Sequence, residues 1–266
     1  MTTLGNTEAP PPPLDVTHPD AAERITAALA EHGVAVFRGV TGRAALLRLA
    51  TELGSVVLHP HSDPEGVTTI TARSGATRPG MAAFTDNDLT PHTDRSNLSS
   101  PPAVVMAVCS RAAPTGGETV LVDGRAVHAA LWAHTPEAVA DLAGARGVLF
   151  GGAAGYLGAV FEPRADGRIA IRLRLDDLAR FSPRARRWLP LLRQAIREHS
   201  DTLALPAGHG YVVNNRWWLH GRHRFSGDRV MWRVLLDPPP GRVHTGFLPA
   251  AATSLPRPHP RMNEST

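Results

Sequence analysis

Short apolar segments separated by glycine and proline limit the folds that this chain can adopt. Of its 266 residues, 24 are glycine and 24 are proline. Most of the apolar runs between them are too short for a helix of usual length, and they favour β-strands. The regular strand–helix alternation of a doubly wound parallel sheet is missing. The pattern therefore predicts a mainly β protein, a sandwich or jelly roll with helical flanks.

The predicted elements place the helices at the start of the chain and in two later insertions. Asp166-Gly167, between apolar segments, predicts a hairpin turn. Proline-rich residues 1–18 and residues 250–266 are predicted to be disordered tails, which leaves one domain over 19–249. The predicted helices cover 20–32, 43–53, 125–142 and 183–200. The predicted strands cover 34–38, 56–58, 67–72, 103–109, 118–122, 146–150, 169–175, 210–214 and 229–236.

Composition excludes several classes of protein. The single Cys109 cannot form an internal disulfide, and it favours a reducing compartment. No apolar run approaches the ~20 residues of a membrane span, and no signal pattern opens the chain, so we expect a cytoplasmic protein without a membrane partner. The sequence pI is near 10.4, yet the net charge is only +4 because all 28 basic residues are arginine. These arginines are dispersed, so no nucleic-acid partner is expected.

The pattern His92-Thr93-Asp94, followed far downstream by His220, points to a metal site. Two imidazoles and one carboxylate form the facial triad of non-haem Fe(II) oxygenases, which leaves three positions of the iron open. Residues two apart on a strand face the same side, so His92 and Asp94 can face inward while Thr93 faces away. The sequence therefore predicts an Fe(II) site at His92, Asp94 and His220.

Four local patterns stand in the order typical of one enzyme family. Together they resemble the taurine dioxygenase and clavaminate synthase-like superfamily of Fe(II)/2-oxoglutarate oxygenases. A segment from Phe161 to Arg168 is also similar to the middle hairpin of that group. The resemblance covers about 30–238 and implies a double-stranded β-helix, or jelly roll. The four patterns are Pro91-His92-Thr93-Asp94, Gly116-Gly117-Glu118-Thr119, Asn214 to Arg222, and Asp228 to Arg233.

The resemblance also implies residue roles around the iron. His92, Asp94 and His220 match the metal ligands. Thr119 matches a hydroxyl that donates to the distal carboxylate of the co-substrate 2-oxoglutarate, and Arg229 matches the arginine that pairs with it. Arg229 follows His220 by nine positions, a shorter gap than is usual in the family, and Arg224 is the alternative.

Substrate recognition is predicted from the same strand and from the segment before the metal motif. Arg233 matches a position that holds a substrate carboxylate or sulfonate in several members, and its spacing from Arg229 places both on one strand face. Asn87 and Asp88 lie where related enzymes face the substrate, and Asp88 would suit an amine. A surface turn is the alternative for these two residues. The loop with His59 and His61 could line the substrate site.

These features predict an Fe(II)- and 2-oxoglutarate-dependent dioxygenase that uses O₂ to hydroxylate an unactivated C–H bond. The expected substrate is a small amino acid or other carboxylate of specialised metabolism. Desaturation, cyclisation or epoxidation by the same centre stays open, as do a zinc hydrolase and a non-catalytic jelly-roll binding protein. Halogenases of the superfamily replace the ligand carboxylate by Ala or Gly, and Asp94 disfavours that reaction.

Overall fold

The computed structural model describes residues 12–76 and 78–249, which form a mainly β protein with helices. The helices are α1 Ala21–Glu31, α2 Arg43–Leu53, α3 Gly124–His134, α4 Pro136–Leu142, α5 Pro183–Arg186 and α6 Leu189–Glu198, with a 3₁₀ turn at Ala82–Phe84. The strands are β1 Leu14–Asp15, β2 Val34–Arg38, β3 Ser55–Val57, β4 Thr68–Ile70, β5 Leu89–His92, β6 Val104–Arg111, β7 Thr115–Gly116, β8 Thr119–Asp123, β9 Val148–Phe150, β10 Tyr156–Gly158, β11 Phe161–Pro163, β12 Ile169–Ile171, β13 Ala179–Phe181, β14 Ser200–Leu203, β15 Gly210–Asn214, β16 Trp218–Arg222, β17 Phe225–Ser226 and β18 Val230–Asp237.

Two sheets, antiparallel except for the β1–β2 pair, carry the functional residues. The larger sheet has the order β1-β2-β15-β6-β18-β3, and β4 also pairs with β18. The smaller sheet has the order β14-β8-β16-β5. Leu121 of the smaller sheet packs with residues of the larger sheet that include Val105, Tyr211 and Met231. The two sheets therefore face each other across a shared apolar layer.

Helices cover the outer faces of both sheets. Alternate residues of β6 point to opposite sides, so Val104 and Met106 pack under α1 and α2 while Val105 faces the other sheet. Burial on both faces explains the continuous apolar run of this strand. On the other side of the molecule, Val122 and Leu219 of the smaller sheet pack with α3, α4 and α6.

Most of the predicted elements are confirmed. Each of the nine predicted strands overlaps an observed strand, the first two helices form at their predicted positions, and the 161–171 hairpin turns at Gly167 with φ +78°. The prediction of one helix over 125–142 is wrong, because Thr135 before Pro136 leaves the helical conformation at φ −151°, ψ 72°. The helix predicted over 183–200 is likewise divided into α5 and α6.

The terminal segments are described only in part. Leu14 and Asp15, inside the segment predicted as an N-terminal tail, form β1 and pair in parallel with β2. This pairing gives the edge of β2 hydrogen-bond partners. The rest of the predicted tails, 1–11 and 250–266, lies outside the described residues. No helix in the described ranges is long and apolar enough to cross a membrane.

Candidate metal centre and cavities

The structure brings His92, Asp94 and His220 together where β5, the edge strand of the smaller sheet, pairs with β16. His92 ends β5 and lies directly opposite His220 of β16 in the strand register. The ligand atoms of the three side chains all lie within 4.8 Å of one another. His92 Nε2 is 3.8 Å from Asp94 Oδ1, and His220 Nε2 is 3.8 Å from Asp94 Oδ2. This spacing suits three ligands around one ion.

Backbone contacts fix the loop that carries Asp94. The Asn215 side chain accepts from the Asp94 backbone N–H at 2.7 Å and donates to the Asp94 carbonyl at 3.0 Å. Thr93 faces away, as its position predicts, and exchanges hydrogen bonds with the Leu173 backbone. Asn215 in the Asn-Asn-Arg pattern thus positions a metal ligand that lies far from it in sequence.

Two observations show that the triad fits a divalent metal. His92 Nδ1 lies 2.9 Å from the Thr90 carbonyl, so it donates its hydrogen there and leaves the Nε2 lone pair for a metal. Asp94 Oδ2 is buried without a hydrogen-bond partner, and a buried carboxylate oxygen needs a positive or donating neighbour. An ion between Asp94 Oδ2 and the imidazoles would supply one.

The electrostatics keep the triad in its ligand form. Burial and, second, the neighbouring His92 lower the pKa of His220 to about 3. Burial opposes ionisation of Asp94, but Arg233 and the two histidines outweigh it and hold the pKa of Asp94 at about 2. The site therefore presents neutral imidazoles and a carboxylate at neutral pH, the states that bind metal.

A narrow cavity beside His220 collects the residues predicted for 2-oxoglutarate. Thr119 and Arg229 both line it, and both are buried. Arg222 also lines it; its pKa is lowered to about 10 by burial and by the nearby Arg229. Arg222 Nε has no hydrogen-bond partner. Together with Arg233, which also lines this cavity, three buried guanidinium groups form a binding site for an anion such as a carboxylate.

A small strand pair accounts for the short connection between His220 and Arg229. β17 pairs with β7, so the Gly116-Gly117 loop lies directly against the segment that leads to Arg229. A Cβ at Gly117 would lie 2.9 Å from Arg229 Cδ. Arg224, the alternative to Arg229, is exposed and does not line the cavity within the described ranges.

A second cavity of about 310 Å³ opens on the other side of the metal triad. Arg233 lines both cavities, and its Nη1 donates to Asp94 Oδ1 at 3.0 Å. His59 and His61 line the second cavity, and burial, followed by Arg233, lowers the pKa of His59 to about 4. Arg233 therefore stands between the metal ligands and the space open to a substrate.

Asn87 and Asp88 occupy different positions from each other. Asp88 lines the second cavity, but its side chain is 67% exposed and accepts from the Arg224 backbone N–H at 2.8 Å. Asn87 is not among the described residues lining the cavity, and its carbonyl accepts from the Arg222 guanidinium. Asn87 thus holds Arg222 through its backbone.

Three cavity residues were missed from the sequence. Arg174 and Asp176 follow β12 and face the second cavity as a bidentate ion pair, with distances of 2.7 and 2.5 Å. Arg95 lines the same cavity directly after Asp94. The sequence could have indicated Arg95, because it follows a predicted metal ligand. Arg174 and Asp176 are distant from the ligands in sequence, and only the fold brings them to this cavity.

A comparison with known protein families identifies the family of this chain. A family model described as taurine catabolism dioxygenase TauD, TfdA family, matches residues 3–235. The chain belongs to this family. No curated protein matches it significantly in sequence.

Solved structures of iron oxygenases share the fold. An asparagine oxygenase in complex with Fe(II), 2S,3S-3-hydroxyasparagine and succinate matches with a TM-score of 0.66 at 21% identity, over 82% of this chain and 79% of that chain. The non-heme iron oxygenase OrfP with Fe, succinate and (3S)-hydroxy-L-Arg matches with 0.64 at 17%, over 82% and 80%. PvcB from Pseudomonas aeruginosa matches with 0.64 at 18%, over 85% and 82%.

Proposed function

We propose that this protein is an Fe(II)- and 2-oxoglutarate-dependent oxygenase that hydroxylates an unactivated C–H bond of a small amino acid or other carboxylate in specialised metabolism. The observation that carries the proposal is the triad of partly buried His92 with buried Asp94 and His220, in which Asp94 Oδ2 has no hydrogen-bond partner. A cavity lined by three guanidinium groups lies beside this triad. Membership of a dioxygenase family supports the same reaction class.

The fold that we propose is a double-stranded β-helix, or jelly roll. Two mainly antiparallel sheets facing each other, with the metal triad at the edge strand of one of them, support this architecture. The likeness to solved iron oxygenases supports it as well.

In the proposed mechanism, the protein holds the reacting groups and excludes water. His92, Asp94 and His220 would hold the iron, while Arg229 and Thr119 would bind the distal carboxylate of 2-oxoglutarate. When bound, iron and 2-oxoglutarate would supply the activation of O₂, with oxidative decarboxylation of 2-oxoglutarate to succinate and CO₂. The Asn215 clamp and the Thr90 carbonyl keep the ligand side chains oriented.

Arg233 is the proposed anchor for a substrate carboxylate. Its buried guanidinium lines the cavity and already contacts Asp94, so a carboxylate bound there would lie close to the iron. One structural neighbour is an asparagine oxygenase, and another is bound to hydroxyarginine. An amino acid therefore agrees with both the site and the neighbours.

The test is an anaerobic titration of the apo-protein with Fe(II) and 2-oxoglutarate, recorded by absorption spectroscopy. We expect the metal-to-ligand charge-transfer band of chelated 2-oxoglutarate, and a shift of the band when a substrate amino acid is added. An Asp94→Ala variant should lose most of its iron affinity and serves as the negative control. If iron binds to the unaltered protein and no band forms, the co-substrate assignment is wrong.

A further inference from the structure

The charges that line the substrate cavity leave one guanidinium without a partner. Three arginines line the cavity: Arg95, Arg174 and Arg233. Arg233 pairs with Asp94 at 3.0 Å, and Arg174 pairs with Asp176. Over the described ranges 12–76 and 78–249, Arg95 has neither an ion pair nor a side-chain hydrogen bond. A half-buried cation that faces this cavity without a partner favours an anion there.

The backbone at Arg95 is strained. Arg95 has φ +55°, and among the described residues it is the one non-glycine residue with positive φ. Arginine adopts this left-handed region unfavourably, whereas glycine and asparagine tolerate it. Strain of this kind concentrates at functional sites. Arg95 also follows the metal ligand Asp94 directly, so its backbone lies next to the metal site, and the residue lines the cavity.

The carboxylates of the cavity are less available to a cationic substrate. Asp94 belongs to the metal triad, and Asp176 is held by both ends of the Arg174 guanidinium. Asp88 is 67% exposed at the rim, where water screens its charge. A cationic side chain would have to displace Arg174, whereas an anionic group would meet Arg95 directly.

We infer that the substrate carries a second acidic group, which Arg95 binds, in addition to the carboxylate held by Arg233. This inference rests on the proposed function and narrows its substrate to compounds with two carboxylates: acidic amino acids or other small dicarboxylates. Arg95 is then the residue that gives an acid a higher affinity than its amide. A carboxylate accepts charge-assisted hydrogen bonds from a guanidinium more strongly than a neutral amide does.

The test compares the affinities of two acids, aspartate and glutamate, with those of their amides, asparagine and glutamine, and with that of arginine, for the Fe(II)- and 2-oxoglutarate-loaded protein. Binding is measured anaerobically by calorimetry and by the shift of the charge-transfer band. We expect at least one acid to bind about 10- to 100-fold more tightly than its amide, the range of a hydrogen bond to a charged group.

Two substitutions separate the charge of Arg95 from its backbone. Arg95→Asn removes the cation but suits the left-handed backbone, so it should abolish the preference of the acid over its amide while raising the melting temperature. Arg95→Lys keeps a positive charge and should retain part of the preference. Arg48→Gln, on the exposed face of α2 and away from the cavity, is the control with the same loss of charge.

The outcomes distinguish this inference from the proposed function. If the band forms with Fe(II) and 2-oxoglutarate but no acid binds more tightly than its amide, the inference is overturned and the proposed function stands. The same holds if arginine binds most tightly, or if Arg95→Asn leaves the ratio of acid to amide affinity unchanged. If the band never forms, the proposed function fails first. An acid preference that Arg95→Asn abolishes supports the inference.

Discussion

Asp94 links the metal site to both cavities through different atoms. Its Oδ2 faces His220, its Oδ1 accepts from Arg233, and its backbone is clamped by Asn215. A change at any of these partners therefore alters the position or charge of one metal ligand. Arg233 is the partner that also contacts the substrate space, so its two roles must be separated from the role of Arg229.

Substituting the two arginines should separate the co-substrate site from the substrate site. Arg229→Ala should raise the KM for 2-oxoglutarate by about 10- to 100-fold, because it removes a charge-assisted pair in a buried cavity. Arg233→Ala should raise the substrate KM by more than the 2-oxoglutarate KM. Steady-state kinetics with each ligand varied in turn measure both effects.

Arg224→Ala is the matched control for this pair. The Arg224 side chain is exposed, so both KM values should stay close to those of the unaltered protein. Equal effects of Arg229→Ala and Arg233→Ala on the two ligands would contradict the division of roles. A large effect of Arg224→Ala on 2-oxoglutarate would transfer the co-substrate role to that residue.

At the scale of elements, the sequence predicted strands and motifs better than the contacts between them. Short apolar runs are local signals, and the structure forms strands there. His92 and Asp94 do lie together, but Asp94 lies in the loop after β5 and not on the strand. The division of the 125–142 helix was also visible, since Pro136 disfavours a helical residue before it. Arg174 and Asp176 carry no such signal, because their approach to the metal depends on how the hairpin packs.

The Gly116-Gly117 loop offers a test of how an element positions a side chain. Gly117→Ala would place a Cβ 2.9 Å from Arg229 Cδ at φ +81°, so Arg229 must move. We expect a rise of about tenfold in the 2-oxoglutarate KM and a loss of about 1 kcal/mol of unfolding free energy. Kinetics and urea denaturation measure the two effects.

Gly167→Ala provides the control for the backbone part of this change. Gly167 has a similar φ of +78°, and its Cβ would meet nothing within 4 Å. It should lose a similar unfolding free energy without any change in the 2-oxoglutarate KM. The same KM change in both variants would mean that the loop does not position Arg229.

At the scale of the whole molecule, buried histidines make stability depend on pH. Burial lowers the pKa of His128, which packs edge-on against Phe161 and Phe247 and stacks with Trp132. Burial also lowers the pKa of His59 to about 4. Below pH 6.5 these histidines are therefore protonated more fully in the unfolded chain than in the folded chain. The unfolding free energy consequently falls as the pH falls.

His128→Phe should weaken this pH dependence. Phenylalanine suits the aromatic cluster and cannot take up a proton, so between pH 6.5 and 5.5 the variant should lose less unfolding free energy than the unaltered apo-protein. Urea denaturation with a chelator present, at both pH values, measures the difference. His134→Gln, at an exposed position of the same helix, should leave the dependence unchanged. Because His128 lies outside the metal triad, an unchanged dependence in His128→Phe would mean that the acid sensitivity arises at the other buried histidines.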